Sequence, residues 1–104
     1  IFFTQHEHLP NTVYGSEDWS DGTLYDILKN YPQIVTFSGH SHFTLIDERS
    51  INQKDFTSLG TSTLKYMELE YGKENGSIPP NASNVKEGLY IQVYNDKVDI
   101  ELLL

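Results

Sequence analysis

The chain contains no cysteine. Disulfides and thiolate metal sites are therefore excluded, and cysteine usage leaves the redox compartment open. Basic residues are scarce, with 7 Lys and Arg against 15 Asp and Glu and a formal net charge of −8. They form no cluster, so the positive stripe needed to displace counterions from nucleic acid is missing. The same shortage argues against docking on an anionic membrane. No run is long or apolar enough to span a bilayer, and no basic start leads into an apolar signal segment. Neither nucleic acid nor membrane is an expected partner. Phosphate esters remain admissible as substrates, because a bound metal inverts the local field.

What is present fits one domain or part of one: 104 residues, 38% of them hydrophobic. Ile1-Phe2-Phe3 has the look of an interior strand, and Leu102-Leu103-Leu104 is an odd place to stop. Residues 1–104 are therefore expected to be a fragment of a longer chain, with both ends inside structured elements.

Residues 1–6 read as a buried strand. Leu24, Ile27, Leu28 and Tyr31 follow the i, i+3, i+4, i+7 spacing of one helical face. Ser20 and Asp21 are candidate N-caps, Thr23 and Asp26 have capping-box spacing, and Pro32 ends the helix. Ile34–Phe37 is a short buried strand, so the order strand, helix, strand predicts a parallel crossover. Beyond it, Phe43–Asp47, Asp55–Leu59, Leu64–Glu70, Leu89–Tyr94 and Val98–Leu103 read as strands. The last two alternate apolar and polar residues around Asn95-Asp96 and form a hairpin. The fold class is α/β of mixed α+β type, with one helix and about six or seven strands. Asn75-Gly76-Ser77 and Asn81-Ala82-Ser83 fit the glycosylation pattern, which carries meaning only in a secretory host.

The chemistry concentrates in histidine. Phe37-Ser38-Gly39-His40-Ser41-His42 arrives at the mouth of one strand, and His6-Glu7-His8 closes another. Imidazole is the commonest protein ligand for transition metals. Alternate residues of an extended segment face the same way, so His40 and His42 can share a cleft. Ligands of open α/β sheets collect outside the carboxyl ends of the strands, where all four histidines fall. Gly39 is read as the residue that relieves the sharp turn.

Together, Thr4-Gln5-His6, Asn11-Thr12-Val13-Tyr14-Gly15-Ser16 and Phe37-Ser38-Gly39-His40-Ser41-His42 resemble the C-terminal half of a calcineurin-like metallophosphoesterase. The resemblance implies a four-layer α/β/β/α sandwich. It implies two divalent metal ions (Mn, Fe or Zn) and hydrolysis of phosphate mono- or diesters by metal-activated hydroxide. Carried over by motif, His40 resembles the ligand of one metal, shared with His6, and His42 the ligand of the other. His8-Leu9-Pro10 fits the family's His-x-Pro triplet, whereas His6 fits the strand end and the distance to Thr12. His6 is preferred, and His8 remains a candidate for metal or substrate. Glu7 is expected to serve a ligand's ring N–H. Asn11, Tyr14 and Arg49 are candidate substrate contacts. The family's Asp-x-His, Gly-Asp and Gly-Asn-His motifs have no counterpart here, so the resemblance implies that residues 1–104 are a partial domain lacking its N-terminal half, and these residues alone are expected to be inactive.

A reading from another class is a non-catalytic metal-binding or interaction module. There a structural zinc would take four tetrahedral ligands from His6, His8, His40 and His42.

Overall fold

The structure is a computed structural model that describes residues 1–17, 19, 21–73 and 76–104. The N-cap candidate Ser20 and the first glycosylation asparagine, Asn75, lie outside the described residues.

Strand β1 (Phe2–Gln5), helix α1 (Thr23–Leu28) and strand β2 (Val35–Ser38) form the expected crossover. The two strands pair in parallel from Phe2↔Val35 to Gln5↔Ser38. That register brings the next residues, His6 and Gly39, side by side, and the Gly39 amide donates to the His6 carbonyl at 2.9 Å. β3 (Ile51–Gln53) and β4 (Thr57–Gly60) complete a sheet of order β1-β2-β4-β3. β4 runs parallel to β2 and β3 antiparallel to β4. Three parallel strands therefore end at one rim, and Thr61 closes it by donating its amide (2.9 Å) and hydroxyl (3.2 Å) to the Ser38 carbonyl.

β5 (Gly88–Val93) and β6 (Val98–Leu103) form the predicted hairpin as a separate two-stranded sheet. Its register runs from Gly88↔Leu103 to Val93↔Val98. The described residues thus give one α-helix and six strands in two sheets, a mixed α/β arrangement compatible with the α+β class. No helix among them is long and apolar enough to cross a membrane.

Leu9, Leu28, Ile34 and Phe56 form the buried core, with Phe3, Leu24 and Tyr25 packed against it. The helix is shorter than its apolar stripe. It stops at Leu28 with Lys29 as C-cap, and Ile27 and Tyr31 of the predicted face are exposed. Gly22 is the N-cap, in left-handed conformation, and Asp21 one residue earlier accepts from the Thr23 amide at 3.0 Å. Asp26 pairs with Lys29 instead of closing a capping box.

Two expected strands are replaced by irregular backbone. Phe43–Asp47 and Leu64–Glu70 meet only in an isolated parallel bridge, Phe43↔Glu68. The cause is competition for backbone donors. The Leu45 amide is taken by the Glu87 carboxylate at 2.7 Å. The amides of Met67 and Leu69 go to the carbonyls of Ala82 and Ser77. The strand expected over Asp55–Leu59 begins two residues later, and β3 had no clear alternation to reveal it. The left-handed angles tolerated by Asn95 and Asp96 are not used in their turn.

Glu87 ties the hairpin to the loop after His42. It is buried, and its carboxylate accepts from Thr44 Oγ1 (2.7 Å), the Leu45 amide (2.7 Å) and Ser62 Oγ (2.7 Å). Hydrogen bonds to a charged acceptor in a buried site are stronger than neutral ones. Replacing Glu87 with Gln is expected to cost about 1–2 kcal/mol, read as a lower urea midpoint with an unchanged slope. A midpoint equal to that of the parent protein would show that the carboxylate's charge contributes nothing to this junction.

Candidate metal centre

The parallel rim brings two of the predicted histidines into contact. His6 is exposed and His40 half-buried, and His40 Nδ1 lies 2.9 Å from His6 Nε2. Their rings meet edge to face, with centroids 4.8 Å apart and an interplanar angle of 81°. One proton between the nitrogens makes this a hydrogen bond. The same separation suits two ligands at adjacent positions of an octahedral metal, where bonds of about 2.0–2.1 Å at right angles put the nitrogens about 3 Å apart, whereas a tetrahedral site would spread them to about 3.4 Å. The pair therefore fits as two donors of a metal site.

His42 is arranged differently. Its Nδ1 donates to the Tyr66 carbonyl at 2.8 Å, and its ring packs on that of Tyr66 at 4.5 Å. A carbonyl only accepts, so the proton of neutral His42 sits on Nδ1 and Nε2 keeps its lone pair. That is the usual way a ligating imidazole is oriented by a backbone oxygen. Among the described residues, however, no group of three or more His, Cys, Asp or Glu side chains is gathered to hold a metal ion.

The turn residues differ from expectation. The left-handed positions of the loop are His40 (φ 62°) and His42 (φ 59°), and Gly39 is not among the positive-φ residues. Gly39 instead gives room, since a Cβ there would stand 3.3 Å from Thr61 Oγ1. A side chain in left-handed backbone costs about 1–2 kcal/mol. Two such residues in a row of three are held only where the surroundings dictate it, and such outliers gather at functional sites.

His8 does not join the His6–His40 pair, and His42 makes its contacts with Tyr66. His8 is only 2% exposed, and both ring nitrogens are engaged, Nδ1 with Ser38 Oγ (2.7 Å) and Nε2 with Ser41 Oγ (2.8 Å). Burial, reinforced by His40, lowers its pKa to about 4, with Glu17 opposing and His6 adding slightly. The four-histidine zinc set is thus not assembled, because the fourth ring already spends both nitrogens on hydroxyls.

Of the candidate substrate contacts, Asn11 is an exposed loop residue in left-handed conformation (φ 60°). Tyr14 and Arg49 line a separate hollow of about 390 Å³. Tyr14 stacks on Phe43 at 4.5 Å, and the Arg49 guanidinium lies 4.5 Å from the Tyr14 ring centroid. Gly15 permits this approach, for a Cβ would come within 2.7 Å of Phe43. Asp47 and Glu70 both pair with Arg49. Hydrogen bonding from Arg49 holds the Asp47 carboxyl down at about 2, and burial pushes the Tyr14 phenol up. Any phosphate reaching Arg49 would have to displace these carboxylates.

Trp19 is expected from the sequence near the cleft, as a packing or pocket-lining aromatic, but not against His40. Its ring meets His40 edge to face at 4.2 Å, and it lines an open hollow of about 460 Å³ with Gln5, His6, Glu7 and Asp21. The serines that grip His8 were unmarked, because hydroxyls carry no distinctive spacing. No family model, curated protein or solved structure matches this chain.

Proposed function

We propose that this chain is part of a binuclear-metal-dependent phosphoesterase that hydrolyses phosphate mono- or diesters. The observation that carries the reading is the meeting of His6 and His40, nitrogen to nitrogen at 2.9 Å, at the carboxyl ends of adjacent parallel strands. The left-handed backbone of His40 and His42 supports it, since glycine is the cheaper residue there unless the side chains are used. In this reading His6 and His40 hold one cation and His42, through Nε2, a second. When bound, the two metals supply Lewis acidity toward the phosphoryl oxygens and a water of lowered pKa.

This chain's own residues contribute orientation. The Tyr66 carbonyl fixes the tautomer of His42, and the Gly39-to-His6 backbone bond keeps the two rings in register. The carboxylate and remaining donors of such a centre come, in this proposal, from the other half of an α/β/β/α sandwich. The exposed apolar side chains of Ile1, Phe2, Ile27, Tyr31 and Leu102 are area that such a half would be free to cover.

The test is hydrolysis of p-nitrophenyl phosphate and bis-p-nitrophenyl phosphate by the intact protein, with metal content measured in parallel. Two metals per chain and activity abolished by chelation and restored by Mn²⁺ are expected. A single metal whose removal unfolds the protein, with no turnover, would instead establish a structural site.

A further inference from the structure

The buried His8 is the best-built polar feature that the proposed function leaves unused. Its ring runs from Ser38, the last residue of β2, to Ser41, the residue between His40 and His42. Ser41 Oγ also accepts from the Phe43 amide at 3.3 Å, so the grip extends past His42. The histidine thus ties the strand end to the middle of a loop whose two flanking residues have φ near +60°.

A serine bonded to a histidine invites the idea of a nucleophile. Space decides against it. The cavity between His8 and Ser41 amounts to about 10 Å³, at most the room of a single water. No ester fits in that cavity beside His8, which is only 2% exposed. With chemistry excluded, what remains is mechanical: a stiff ring that spends both nitrogens on two hydroxyls.

Backbone bonds alone do not dictate the loop. Gly39 is fixed to His6, and the His42 carbonyl accepts from the Glu68 amide at 3.0 Å. The Ser41 amide reaches only back to Gly39, at 2.7 Å. The rings of His40 and His42 have contacts of their own, and between them the side chain of Ser41 is held by His8. We propose that His8 is a positioning residue: with Ser38 and Ser41 it forms a buried hydroxyl–imidazole–hydroxyl brace that holds His40 and His42 in left-handed backbone and so aims their rings. The brace rests on the reading of His40 and His42 as metal ligands for its purpose, but its geometry can be tested without metal.

Three variants separate the roles. His8→Phe keeps the ring's bulk and removes both bonds. His8→Gln restores one donor and one acceptor with no imidazole. Ser41→Ala removes the loop side only and leaves the core intact should His8→Phe not fold. Side-chain ¹⁵N shifts of His6, His40 and His42 are recorded in metal-free protein, and Zn²⁺ affinity is measured by calorimetry. His8→Phe and Ser41→Ala are expected to move the His40 and His42 resonances and to weaken Zn²⁺ roughly tenfold to a hundredfold. His8→Gln is expected to recover most of both. Unchanged resonances in folded His8→Phe or Ser41→Ala would overturn the brace. Failure of His8→Gln to recover anything would overturn it too, pointing to His8 as a ligand. Shifted resonances in a protein that binds no Zn²⁺ even as wild type would uphold the brace and sink the metal reading instead.

Discussion

Glycine in place of His40 is expected to give a protein that is more stable than its alanine counterpart and, under the proposed function, equally unable to bind metal. Both substitutions remove the imidazole that faces His6, so they lose the same ring contact. They differ only in what the backbone needs. At φ 62° an L-residue is strained and glycine is not. The His40→Gly variant should therefore exceed His40→Ala in stability by about 1 kcal/mol, or about 4–8 °C in Tm for a domain of this size. The same difference is expected between His42→Gly and His42→Ala, where φ is 59°.

Under the proposed function, metal affinity should fall at least about a hundredfold in all four variants, since each would remove a proposed ligand. Trp19 offers a direct reading, because its ring lies 4.2 Å from that of His40. Paramagnetic Mn²⁺ should quench its fluorescence in the parent protein and leave it unchanged in the position-40 variants. Quenching that survives both His6→Ala and His40→Ala would remove this pair from the metal site. Alanine as stable as glycine would mean that the loop relaxes out of the left-handed region.

Acid should destabilise the protein well above the range where its carboxylates titrate, and His8 is the expected cause. Its folded-state pKa is about 4, depressed mainly by burial, against an unfolded value of 6.5. Between these values the unfolded chain carries the proton and the folded chain does not. Stability therefore rises with pH across this window. The contribution is complete above the unfolded value and is lost as pH falls through 6.5 toward 4. At about 1.4 kcal/mol per unit, and allowing for partial screening, the loss amounts to about 2–3 kcal/mol. A fall in Tm of about 10 °C or more between the two ends of the window is the expected reading. His8→Gln should flatten the profile there, because glutamine does not titrate. Asp47 does not interfere, since its pKa is depressed to about 2 by the Arg49 hydrogen bond and its contribution fades only below the ordinary carboxylate value. A profile as steep in His8→Gln as in the parent would assign the acid sensitivity to other groups.

Local patterns and register signals made much of the architecture legible. The crossover was readable because apolar runs flanked a helical stripe, and the hairpin because its alternation had a period of two. The expected strands that did not form are those whose amides are taken elsewhere, by the Glu87 carboxylate or by the Ala82 and Ser77 carbonyls. Nothing in Phe43–Asp47 announces that Glu87, distant in sequence, takes the Leu45 amide. The helical stripe was read through to Tyr31, but the helix ends at Leu28 and leaves Tyr31 exposed.

The site divides in the same way. Residue type and position at strand ends were sufficient to pick out His6 and His40, because a parallel register necessarily brings such ends to one rim. Which of His6 and His8 faces that rim was decided by burial, a tertiary quantity: the core closes over His8 and offers it two hydroxyls, while His6 stays in the open. Imidazoles near strand ends, the lack of thiols and the excess of acidic side chains are fixed by residue order alone. Which partners each imidazole meets is fixed by folding, because the atoms facing its two nitrogens come from segments far away along the chain.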